Sequence, residues 1–209
     1  MNNKKKLNKA IKSAREENEK VLLLFKKSAV PSDGYSKIIF TYIKIVLEHH
    51  RSIIELTNVR QTSALALVRP LYEAHIRIMW LITNIGSDKA TKAARQLVND
   101  WEDGAFPTLK IMCIEIDAVY NVFDKNHQDM YLRECEHNVP LFHSYTHGGA
   151  YLISIISNSK DMYSNKDMID LLENASINMF RVTIAYTDFI IQDFILRDKI
   201  RAIMLNQNK

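Results

Sequence analysis

The chain has 209 residues, 47% hydrophobic and 25% charged, which is enough for one sizeable core and ordinary for a folded globular domain. Five glycines and four prolines are too few for the many turns of an all-β protein. The net charge of +4 is local: residues 1–27 hold nine Lys/Arg against three Asp/Glu, and the remainder holds 19 against 21, which argues against a body that is one extended nucleic-acid surface.

Two cysteines, Cys113 and Cys135, match neither a zinc-type spacing nor a secreted disulfide scaffold. The basic start has no uninterrupted apolar run behind it, so no signal peptide is expected. Residues 64–85 and 177–196 are apolar but interrupted, the first by Arg69, Glu73, His75 and Arg77, the second by Arg181, Asp188 and Asp193. Each charge at mid-span would cost roughly 3 kcal/mol in lipid. The expectation is a cytoplasmic protein with no membrane partner.

In chain order, a basic first helix is expected from about Leu7 to Lys27. Leu7, Ile11, Ala14, Asn18, Val21 and Phe25 step by four and three, a coiled-coil seam with one polar interruption. Residues 1–30 are read as this helix, packed on its own domain or a sister subunit, or serving as an interaction arm. Residues 31–209 are read as the bundle. Pro31-Ser32-Asp33-Gly34 is a turn, and a second helix follows to about Asn58. A third spans about Thr62 to Ile85, closed by Gly86, and a fourth covers about 88–102. Pro107 opens a fifth, with Leu109, Met112, Ile116, Val119 and Phe123 at helical spacing. Residues 125–140 read as a short helix or loop ending at Pro140, and a sixth helix reaches about Ser157. The last runs from about Asn165 almost to the C-terminus. No strand-period alternation is sustained, so the expected fold is all-α, a single-domain bundle of six or seven helices.

The third helix carries an unusual set of charges. It is apolar on nearly every side, as a helix in the middle of a bundle should be. Yet Arg69, Glu73 and Arg77 fall at i, i+4 and i+8 along one stripe. Ionised groups there must be paired or face a polar cavity. Pro70 removes a backbone donor and leaves the Ala66 carbonyl without its usual partner, so a bend is expected beside the charges. The stripe reads either as a bridge fastening neighbouring helices or as one wall of a pocket.

Further on, His143 and His147 stand at i and i+4 within PLFHSYTHGGAY. That spacing can hold a metal, but two histidines are short of the three or four ligands that zinc needs, so neither metal nor cofactor is expected. Ser144 lacks the strand–turn–helix elbow of a serine nucleophile. Gly148 and Gly149 signal close approach of a backbone or a ligand. The preferred reading turns His147 toward the cleft of Arg69 and Glu73.

These motifs, LVRPLYEAHIRIMWL (67–81), DWEDGAFP (100–107) and HSYTHGGA (143–150), resemble a bacterial family of uncharacterised helical proteins of about this size. Its pattern maps onto Arg69, Glu73, Arg77, Trp80, Ser144, His147 and Gly148. A looser resemblance is to the HEPN superfamily, helical dimers that include metal-independent ribonucleases of toxin and defence systems. Their signature is an Arg and a His four to six residues apart, a spacing that Arg69 and His75 fit. That resemblance implies a homodimer acting on RNA, with Arg69 stabilising developing phosphate charge and a histidine shuttling the proton. Pro70 departs from the polar residue usual after that Arg, and on a straight helix Arg69 and His75 point about 120° apart. His147 is therefore the alternative imidazole.

The function expected is a non-enzymatic binding or regulatory bundle with an interior polar cleft. Arg69, Glu73 and His147 would be its reactive set, if it has one, and Arg77, Trp80, His143, Ser144 and Gly148 its binding set. A small anionic ligand or RNA is the expected partner, beside a second copy of the chain. The alternatives are a HEPN-like ribonuclease and a metal-dependent hydrolase built on His143 and His147.

Overall fold

The computed structural model describes residues 3–28, 30–99, 106–124, 126–147 and 163–205, except for the side chains of 98, 99 and 144–147. Among the described residues every regular element is helical: α1 (Asn3–Lys27), α2 (Gly34–Leu56), α3 (Gln61–Ala66), α4 (Val68–Thr83), α5 (Asp88–Asn99), α6 (Leu109–Phe123), α7 (Met130–His147), α8 (Asn165–Phe189) and α9 (Phe194–Leu205). Six or seven helices were expected, and three local differences account for most of the change.

The expected third helix breaks at Leu67. The Leu67 N–H donates to Ala64 in a tight turn, and α4 begins at the next residue. Pro70 thereby falls in the first turn of α4, where an N–H has no intrahelical partner in any case. The proline that predicts a bend is accommodated by a fresh start. Pro140 does the opposite, lying inside α7 rather than ending a segment. It forfeits one hydrogen bond to the carbonyl of Glu136, and both residues are exposed, so water can take that carbonyl. The expected last helix stops at Phe189. The chain turns through Gln192 at φ 51°, and Asp193 restarts it by accepting from the Leu196 N–H at 2.8 Å.

α4 is the central element and packs against α2, α3, α6, α7 and α8. Leu71, Tyr72, Ala74, His75, Ile76 and the run Ile78–Ile82 are all buried, which is why its sequence is apolar nearly all round. α1 lies along α2, α8 and α9, burying the whole seam Leu7, Ile11, Ala14, Asn18, Val21 and Phe25. Phe25, Phe40 and Tyr186 stack with ring centroids 5.8–6.1 Å apart and fasten α1, α2 and α8.

Two buried polar devices join the helices. Asn18 donates from Nδ2 to the Leu47 carbonyl and to His50 Nδ1, each at 3.0 Å. The Leu47 carbonyl fixes which end of the amide is the donor, so His50 Nδ1 accepts and Nε2–H donates to Ser176 Oγ at 3.0 Å. Burial pushes the His50 pKa down to about 3, so this imidazole is neutral. The second device is Asp117 on α6, only 2% exposed, which caps α7 across space. It accepts from the backbone N–H groups of Tyr131 (3.0 Å) and Leu132 (2.7 Å) and from His127 Nε2 (2.5 Å). Phe123, at helical spacing with Met112 and Ile116, is 83% exposed at the end of α6.

No described helix is long and apolar enough to cross a membrane.

Candidate functional site

The stripe on α4 divides. Arg69 and Glu73 pair at 2.8 Å with side chains 27% and 25% exposed, neither sealed nor on the outermost surface. Arg69 also donates from a terminal guanidinium nitrogen to His143 Nδ1 at 2.8 Å, joining α4 to α7. An acceptor Nδ1 leaves the proton of a neutral His143 on Nε2. Arg77 is turned elsewhere, with its guanidinium over the Phe106 ring at 5.4 Å. Trp80 is fully buried against the same Phe106 (centroids 5.7 Å), and its indole N–H donates to Glu115 at 2.5 Å. Lys89 closes that group on Glu115, so Arg77 and Trp80 belong to the seam between α4 and α6. Ser144 and His147 lie within α7, but their side chains, like all of Gly148, fall outside the described residues. Of the expected set, Arg69, Glu73 and His143 are brought together.

His75 is separate from them. It is fully buried among Tyr72 and Tyr131, with ring centroids 6.0 and 5.8 Å away, and neither ring nitrogen has a hydrogen-bond partner. Burial, and then the nearby Arg181, push its pKa down to about 3. The Arg69–His75 spacing therefore joins a partly exposed guanidinium to a core imidazole.

The main cleft runs along a neighbouring side of α4, between α3–α4, α7 and α8, with a volume of about 420 Å³. That is within the range of small-molecule sites, roughly 300–1,000 Å³. Arg181 on α8 and Glu134 on α7 line it and form a bidentate pair (2.8 and 3.1 Å) about 30% exposed. Leu65, Val68, Phe142 and Leu171 supply apolar wall. Tyr72 borders it as well; it is 2% exposed, and its hydroxyl, closed off from solvent, has no hydrogen-bond partner among the described residues. Burial raises the Tyr72 pKa well above the ordinary phenol range, so the hydroxyl keeps its proton.

Sequence reasoning passed over most of this cleft. Arg181 counted only as an obstacle to a membrane span. One signal was present: Asn174, Asn178 and Arg181 stand at i, i+4 and i+7, a polar stripe beside the apolar Leu171, Ala175, Met179 and Val182. Among the described residues no group of three His, Cys, Asp or Glu is arranged to hold a metal ion.

Fold and site together define a class: an all-helical bundle with a lateral cleft between four helices and a bidentate ion pair within it. The chain belongs to DUF6988, a family of unknown function whose family model matches residues 43–201. That span begins inside α2 and takes in every helix that lines the cleft. Comparisons with curated proteins and with solved structures find no match.

Proposed function

We propose that this protein is a small-molecule-binding bundle whose site is the cleft between α3–α4, α7 and α8. One observation carries the reading. Asn178, 8% exposed, lines this open cleft with its Nδ2 bound to the Asn174 carbonyl and its side-chain oxygen without a donor among the described residues, although an unsatisfied buried polar group costs about 1–3 kcal/mol. Folds keep such groups where something else completes them. Apolar wall beside a few convergent polar groups is the usual composition of a ligand pocket. The earlier expectation of an interior Arg/Glu/His cleft is kept in kind, with Arg181, Glu134 and His137 in place of Arg69, Glu73 and His147.

The test is a thermal-shift and native mass-spectrometry screen of the full chain against a chemically mixed fragment library. Binders are expected that Asn174→Trp, a substitution at the exposed rim, excludes. Asn178→Leu should weaken them about tenfold, the value of one hydrogen bond, while changing the ligand-free melting temperature little. If no saturable binder responds to Asn174→Trp, the reading is wrong.

A second reading rests on the Arg69–His143 hydrogen bond, a partly exposed guanidinium against an exposed imidazole. In a HEPN-like ribonuclease dimer, Arg69 would stabilise phosphate charge, with His143 in the role the sequence offered to His75 or His147. It predicts RNA degradation in EDTA that Arg69→Ala lowers at least a hundredfold. Intact RNA with the wild-type chain dismisses it.

A further inference from the structure

Building on the ligand-site reading above, we infer that the cleft selects a small organic ammonium ion, a cation with an apolar body, rather than the anion expected from the sequence. The lining contains three carboxylates, Glu134, Asp167 and Asp170, against the single guanidinium of Arg181. That guanidinium is occupied, both terminal nitrogens being bound to Glu134 and one also reaching Met130 Sδ at 3.7 Å. An entering anion would have to break the bidentate pair and leave Glu134 exposed to it.

The neutral groups point the same way. Asn174 donates from Nδ2 to the Asp170 carbonyl at 2.8 Å, and Asn178 donates to the Asn174 carbonyl at 2.9 Å. A carbonyl accepts only, so these bonds fix the amide orientation and assign the other end of each side chain as an acceptor. Those side-chain oxygens, like the Asp170 carboxylate, have no donor among the described residues. Asp167 uses Oδ2 on Ser164 in the capping box that starts α8, which leaves Oδ1. The cleft therefore offers carboxylate and amide oxygens, with few donors to balance them.

An ammonium group supplies two or three N–H donors and the compensating charge. Leu65, Val68, Phe142 and Leu171 accept the carbon skeleton. A bare divalent ion matches this lining poorly, because it takes six or more hard oxygens and has no use for apolar wall. Asp167 and Asp170 are on the exposed rim, where they draw a cation in. Asn178, 8% exposed, is the deeper group that fixes its orientation.

The experiment is isothermal titration of the full chain with three compounds of matched shape: 2-phenylethylamine, 2-phenylethanol and 3-phenylpropionate. Calcium chloride serves as the metal control. The amine is expected to bind at least tenfold more tightly than the alcohol, with no measurable binding of the carboxylate. Asp170→Asn should weaken the amine about fivefold and leave the alcohol unchanged, and raising the salt should weaken the amine alone. Equal or tighter binding of the alcohol or carboxylate, blocked by Asn174→Trp, overturns the charge assignment while preserving the ligand site. Displacement of the amine by calcium also overturns it. Failure of all three organic probes to bind overturns the assignment together with the site.

Discussion

Acidification from pH 6.5 to 4.5 is expected to cost this fold about 5 kcal/mol through two histidines alone, so cooperative unfolding should set in between those values. His50 and His75 are fully buried, and burial holds both near pKa 3, against about 6.5 in an unfolded chain. Below pH 6.5 the unfolded state binds a proton at each site that the folded state refuses. Stability is therefore fully present above pH 6.5 and falls as pH drops toward 3, at about 1.4 kcal/mol per unit for each histidine. Denaturant titrations at successive pH values read the slope directly. The two groups are separable. His75 has no partner for either ring nitrogen, so His75→Phe should leave stability at pH 7 level or higher and remove half the slope. His50→Ala removes the other half but strips Asn18 and Ser176 of a partner, which should cost about 2–4 kcal/mol at pH 7. A stability flat from pH 7 to 4.5 would show that the imidazoles are hydrated.

Asp117→Ala should be the most damaging single polar substitution, at about 3–5 kcal/mol. The substitution leaves the first N–H groups of α7 at Tyr131 and Leu132 unpaired in a buried place and deprives His127 of its acceptor. The losses fall on one helix end, so hydrogen exchange should speed up in the first turns of α7 before the rest of the molecule opens. Asp117→Asn keeps one acceptor oxygen and should cost roughly half as much. If Asp117→Ala melts within 2 °C of wild type, the cross-helix cap is not holding α7.

How much of this could be read from the sequence depends on the range of the interactions involved. The α1 seam and the buried character of α4 follow from periodicity, which is a local property, and both are found as expected. The start of α8 likewise carries its own signal, the Ser164–Asp167 capping box. Pro140 shows the limit: local propensity argues for a break, and packing of α7 on α6 and α3 overrides it. The turn at Gln192 has no glycine or proline to announce it. For the cleft the difficulty is greater. Its lining comes from positions as far apart as Leu65 and Arg181, and no spacing rule links Tyr72 to Glu134 or Asn178. The conspicuous Arg69-Pro70 motif points to one face of α4, while the cleft opens along a neighbouring one.

The single amide in the buried seam of the first helix has a consequence for assembly. A slide of α1 by seven residues in either direction would keep the greasy stripe in place but bring Ile11 or Phe25 opposite His50, leaving Nδ1 and the Leu47 carbonyl dry and unanswered. Asn18 therefore works as an indexing pin. If α1 were traded between two copies of the chain, it would have to seat in the same notch, so an exchanged dimer would reproduce the monomer's alignment rather than a new one.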